Sequence, residues 1–189
     1  MDSLVKRAMK HDVDAFVQLM EENTPSMYKV ARGFLQDDED IADVIQDTIL
    51  TCLEKIGTLR QEKYFKTWMI RILMNHCTDL LRERKKICSY EKLWELQENQ
   101  KPRQPELSLE WKDLLSQLDE KYRVIIILYY LEGFKIKEIS QLLDINVSTV
   151  KTRLSRGRKE LKHLYQAENG KGKQNATPFQ LKEVGYYVR

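Results

Sequence analysis

The chain has few of the residues that interrupt helices. Seven glycines and four prolines are spread over 189 residues, of which 32% are charged and 42% apolar. That balance favours helix and leaves enough apolar side chain for one or two small domains. No run of ~18 apolar residues occurs, so no membrane-spanning helix and no membrane insertion are expected. The first residues, MDSLVKRAMKHDVDAF, lack the apolar core of a signal peptide. Cysteine is scarce: Cys52, Cys77 and Cys88 show no CxxC spacing, which fits reduced thiols in a cytoplasm. With His76 they give no four-ligand set at zinc spacing. A Gly-rich phosphate loop, a Ser/His/Asp set and an HExxH pair are missing. A calcium loop is excluded after Asp37, because Ile41 takes the fifth position and no glycine the sixth. No cofactor, no metal and no enzyme chemistry are therefore expected.

The net charge of +3 says little, because acid and base are segregated along the chain. The most informative stretch is FKIKEISQLLDINVSTVKTRLSRGRKEL, residues 134 to 161. Ile136, Ile139, Leu142 and Leu143 fall on one side of a short helix. Asp144-Ile145-Asn146-Val147 then breaks the pattern with turn-forming residues. Ser148 suits the N-cap of a second helix. There Val150, Leu154, Gly157, Leu161 and Leu164 form a buried stripe. The other face carries Ser148, Thr152, Ser155, Arg156 and Lys159, with Lys151 and Arg158 at its edges. From Ser148 to Tyr165 six Lys or Arg stand against one Glu. Short hydroxyls allow close approach to base edges, and the cations suit phosphate or guanine. The pattern is that of a helix-turn-helix with its second helix in a DNA major groove.

Towards the N-terminus, Ser3 to Met9 reads as a short helix. Asp12 or Asp14 caps the next, with Phe16, Leu19 and Met20 inward. Pro25 fits the first turn of a third helix, with Met27, Val30, Ala31 and Phe34 facing a core. Asp37 to Asp40 then cap a helix through DDEDIADVIQDTILTCLEKIG. Its seam is Ile41, Val44 or Ile45, Thr48, Cys52 and Ile56, and Gly57 is a candidate stop. Six acids and no base lie between Asp37 and Asp47, more than capping needs. They form either a solvated face or a docking surface for a basic partner.

In YFKTWMIRILMNHCTDLLRERKK, residues 64 to 86, the stripe Phe65, Trp68, Met69, Ile72 and Leu73 continues through Leu80 and Leu81. Asn75, His76, Thr78 and Asp79 interrupt it, and Arg82, Arg84, Lys85 and Lys86 follow. Aromatics and amides beside a basic cluster suit unpaired nucleic acid. From Ser89 to Leu107 the apolar period is lost and Pro102 and Pro105 stand among charges, as in a tether. Leu109, Trp111, Leu114, Leu115 and Leu118 open a second domain. Asp119 caps a buried helix through VIIILYYLE, ended by Gly133. After Ala167 a polar, mobile tail is expected.

DDEDIADVIQDTIL, FKTWMIRILMNHCTDLLRERKK and LDEKYRVIIILYYLEGFKIKEISQLLDINVSTVKTRLSRGRKEL, in that order and with a polar tether, resemble an extracytoplasmic-function sigma factor. These are small two-domain bacterial transcription initiation factors, and the resemblance spans residues 1 to 165. It implies an all-α fold of two small helical domains joined by a flexible linker. The region-2 domain would occupy residues 1–88, the linker 89–107, the region-4 helix-turn-helix domain 108–166 and the tail 167–189. Asp40, Asp43, Val44, Gln46, Asp47 and Leu50 would dock on the clamp helices of core RNA polymerase. Asn75, Asp79, Arg82 and Arg84 would recognise the −10 element and hold an extruded base of the melted strand, with Trp68 as support. Lys151, Thr152, Ser155 and Arg156, with Ser148 and Lys159 on the same face, would read the −35 element as duplex promoter DNA. An anti-sigma factor is implied as a further partner. The rival readings are a helix-turn-helix repressor or activator acting on duplex operators without polymerase, and a helical adaptor without DNA contact.

Overall fold

The computed structural model describes residues 3–91 and 114–169. These fall into two compact units, one drawn from the chain before residue 104 and one from it onward. Among the described residues all regular structure is helical.

Unit 1 begins with α1 (Leu4–Ala8), capped by the Ser3 hydroxyl, and α2 (Val13–Phe34), capped by the Asp12 carboxylate. Here the structure corrects an expectation. Pro25 opens no new helix; it lies inside α2. The buried positions Phe16, Leu19 and Met20 continue in register to Met27, Val30 and Ala31, seven residues separating Met20 from Met27. The backbone bond that Pro25 cannot make would reach Glu21, and both residues are exposed, so water can replace it. Continuous burial of one face outweighs the local penalty.

Leu35 leads to α3 (Asp38–Lys55), whose first amides are capped by Asp37. Val44 rather than Ile45 is the buried member of the seam. Gly57 does not stop this helix with a left-handed turn. The chain tightens into a 3₁₀ turn at Ile56–Thr58 with the Ile56 side chain fully buried, and a second such turn at Glu62–Tyr64 follows. α4 (Phe65–Glu91) then packs on both α2 and α3, with α1 against α2. It buries Phe65, Met69 and Leu73, as expected, together with Ile70, Met74 and Cys77. Each such Leu, Ile or Met contributes about 1.5–3 kcal/mol of burial. Trp68 is half-buried, its ring 6.1 Å from that of Phe65. Residues 89–91 complete α4, so the tether does not start at Ser89. The rest of the tether, Leu109, Trp111 and the tail beyond Asn169 lie outside the described residues.

Unit 2 is helical at 114–117, burying Leu114 and Leu115. Asp119 caps α5 (Glu120–Ile126), whose end widens into a π turn at Ile127–Leu131. Val124 to Leu128 are buried without a break, so the run is an interior helix. Gly133 follows with φ +72°, a conformation glycine adopts without strain. α6 (Ile136–Leu142) and α7 (Val147–Asn169) pack together, and α5 packs on α7. The close approach is at Gly157, where a Cβ would lie 3.1 Å from Tyr122 Cβ and 3.3 Å from Ile126 Cγ1.

Candidate polymerase and nucleic-acid interfaces

The helix-turn-helix is locked by local bonds. Glu138 accepts from the Lys135 amide at 2.8 Å, fixing the start of α6. Asp144 takes φ +50°, a left-handed turn that Asp tolerates, and the Ser140 hydroxyl donates to the Ile145 carbonyl at 2.6 Å. The cap of α7 lies two residues before the expected position. Ser148 is not the N-cap; the helix starts at Val147, and the Asn146 carbonyl accepts its first bond, from Val150, at 3.0 Å. Asn caps as well as Ser, and it comes first. Ser148 thus sits in the first helical turn, on the solvent side with Lys151, Thr152, Ser155, Arg156 and Lys159, all exposed. Val150, Leu154 and Gly157 are buried behind them, with Leu161 and Leu164 half-buried. The structure therefore gathers all six expected residues on one face. The Thr152 hydroxyl donates its proton to the Ser148 carbonyl at 2.9 Å, so its methyl group and the lone pairs of its oxygen remain for a base edge.

In unit 1 the expected polymerase set divides. Asp43, Gln46, Asp47 and Leu50 are exposed on the outer face of α3. Asp40 and Val44 are not; they retain only 9% and 3% exposure and face inward. The reason is spacing: Asp40, Val44, Thr48, Cys52 and Ile56 follow one another at intervals of four and make up the inner seam. Periodicity also points to a residue outside the expected set. Leu53, three after Leu50, is 46% exposed beside Leu50 at 52%, an apolar pair amid acids that a monomer gains nothing by displaying.

The expected −10 set divides as well. Asn75, Asp79, Arg82 and Arg84 are exposed on the outer turns of α4. Arg82 pairs with Asp79 at 3.2 Å, one turn away. Arg84 instead donates to Asp40 Oδ1 on α3, so a residue expected on DNA and one expected on polymerase hold each other. A second tie between the same helices joins Thr51 to His76 Nε2 at 3.0 Å. Burial pushes the Asp40 carboxyl above its ordinary range; Arg84 pulls it back, and Asp37 and Asp43 add to the rise. Cys52 and Cys77 are free and buried, and burial pushes both thiols up to about 12. Among the described residues no group of His, Cys, Asp or Glu could hold a metal ion, and no helix is long and apolar enough to cross a membrane.

This arrangement has close counterparts. Residues 19–87 match the family model for sigma-70 region 2, and residues 108–161 the one for sigma-70 region 4. The chain is 30% identical over 145 residues to RNA polymerase sigma factor SigV of Bacillus subtilis, covering 76% of this chain and 86% of the relative. The chain belongs to the sigma-70 family.

Within it the chain is a sigma factor of the extracytoplasmic-function type. SigW of Bacillus subtilis, an ECF RNA polymerase sigma factor, is 27% identical over 175 residues, covering 84% of this chain and 92% of the relative. The solved structure of CnrH in complex with the cytosolic domain of CnrY superposes with a TM-score of 0.64 at 25% identity, covering 87% of this chain and 96% of CnrH. The chain is thus an RNA polymerase sigma factor, a partner of core polymerase that recognises promoter −10 and −35 elements and promotes strand opening. A repressor acting without polymerase is not favoured, because the helix-turn-helix follows a segment that matches sigma-70 region 2.

Proposed function

We propose that the labour is divided among three faces. The outer face of α3, with Asp43, Gln46, Asp47 and Leu50 and with Leu53 added, docks on core RNA polymerase. The outer turns of α4, with Asn75, Asp79 and Arg82, recognise the −10 element and hold the opened strand. The exposed face of α7, with Ser148, Lys151, Thr152, Ser155, Arg156 and Lys159, reads the −35 element as duplex. The supporting observation is that one packed core carries an acid-and-leucine face on α3 and an amide-and-cation face on α4. Such a body can grip a basic protein surface and an unpaired strand at once. Sequestration of a melted base needs no covalent chemistry, so the protein acts as a binding factor and not as an enzyme, in the cytoplasm where polymerase works. The solved complex of the sigma factor RpoE with the anti-sigma factor NepR from Bartonella quintana supports an anti-sigma factor as a further partner.

Run-off transcription with purified core polymerase on fragments of the cognate genome tests the reading. A promoter-specific product that depends on this chain is expected. Folded protein that yields no such product on any fragment contradicts it.

A further inference from the structure

α4 leaves the packed core at Cys77. Beyond it Thr78, Leu80 and Leu81 are only half-buried, and Asp79 and Arg82 to Arg84 are exposed. A charge-assisted bond brings these turns back to α3: Arg84 donates to Asp40, 44 residues earlier in the chain. The two ends of this bond differ in setting. The Arg84 side chain is 54% exposed, whereas Asp40 is enclosed, and its second oxygen, Oδ2, is buried with no hydrogen-bond partner among the described residues. Enclosing a carboxylate with one oxygen unsatisfied costs stability, and a paired buried charge seldom recovers that cost in full. Its best-attested use is to fix registry between elements.

We propose that Asp40 is a positioning residue for promoter opening: through Arg84 it fixes the turns of α4 that follow Cys77 against α3, so that the polymerase-facing and strand-facing surfaces move as one body. This rests on the role assigned to α4 above. It changes the role of Arg84, which is held by protein rather than by DNA phosphate. Burial disfavours the Asp40 charge even with Arg84 beside it, so Asp40→Asn is expected to keep the fold, and Arg84→Gln, at a side chain 54% exposed, is expected to keep it too.

The test uses the full chain with core polymerase and a promoter carrying 2-aminopurine in its −10 strand. D40N, R84Q and the double variant are compared for core affinity, opening rate and the salt dependence of promoter binding. Each single variant is expected to keep core affinity within about twofold and to slow opening about tenfold, with the double no slower than either single. The salt slope of R84Q is expected to match that of the parent. Additive losses with a shallower slope make Arg84 an independent phosphate contact and overturn the proposal. Loss of core affinity in D40N makes Asp40 a polymerase contact and also overturns it. An unchanged opening rate does the same. Asn75→Ala and Arg82→Gln separate the two levels: if they slow opening while D40N and R84Q do not, only the positioning role fails; if they too are silent, the reading of α4 fails.

Discussion

The two units carry similar side chains to their surfaces and treat them differently. In unit 1 the described cations at the end of α4 are spoken for: Arg82 lies on Asp79, and Arg84 on Asp40. In unit 2, Lys151, Arg156 and Lys159 stand on α7 without an ion pair among the described residues. An unpaired basic face attracts phosphate over a Debye length and releases counterions when it docks. Tied cations give up part of that pull and gain a fixed orientation, which suits a surface that must select one base of an opened strand. On the division of labour proposed above, the difference separates a module that finds duplex from a module that holds a strand open.

The largest expected effect tests whether the two units are energetically separate. Leu73 is fully buried on α4, which packs on α2 and α3, so Leu73→Ala should cost about 2–5 kcal/mol. Hydrogen exchange should speed up in α2 to α4 and stay unchanged in α5 to α7; a uniform increase would merge the units. Next comes the duplex grip. Lys151→Ala and Arg156→Ala should each weaken −35 duplex binding by about 1–3 kcal/mol, and flatten the salt slope by about one unit for each phosphate no longer neutralised. Equal flattening from Arg82→Gln would erase the contrast between free and tied cations. A smaller effect is local to unit 2. Gly133→Ala meets no neighbour but must adopt φ +72°, and should lower the unfolding free energy by about 1–2 kcal/mol. The last effect is a loss seen only at alkaline pH, in unit 1. Cys52 and Cys77 have folded pKa values raised from 9.0 to about 12. The native state then holds more protons than the unfolded state between those values, so unit 1 keeps this stability below pH 9 and loses it as pH rises towards about 12. Denaturant titrations over that range should show the decline, and Cys52→Ala/Cys77→Ala should reduce it, leaving the part that comes from Tyr28, whose pKa burial also raises.

How far the sequence revealed these features depended on the range of the interaction. The helix-turn-helix was legible because its determinants are local: a three-four apolar spacing, Asp144 in the turn, and a cap before α7. Even there Asn146 displaced Ser148, since two nearby residues had equal capping chemistry. Pro25 was misjudged because the rule for proline at helix starts is local, whereas the stripe from Phe16 to Ala31 is held by packing on α3 and α4. The inward turn of Asp40 was written in its spacing, four before Val44, but a run of acids concealed it. Val44 itself was placed on both the inner seam and the docking face, and a residue cannot serve both. The Arg84 bond to Asp40 had no sequence signal, because it joins helices that meet only in the folded core.

The decisive measurement is a titration of core RNA polymerase with the fluorescently labelled full chain and with Asp43→Lys/Asp47→Lys, a change confined to the outer face of α3. Saturable binding by the parent and at least a ~100-fold weakening in the variant, about 2.7 kcal/mol, are expected, with duplex binding by α7 unaltered. Equal affinity of the two proteins for core polymerase would contradict the assignment of that face.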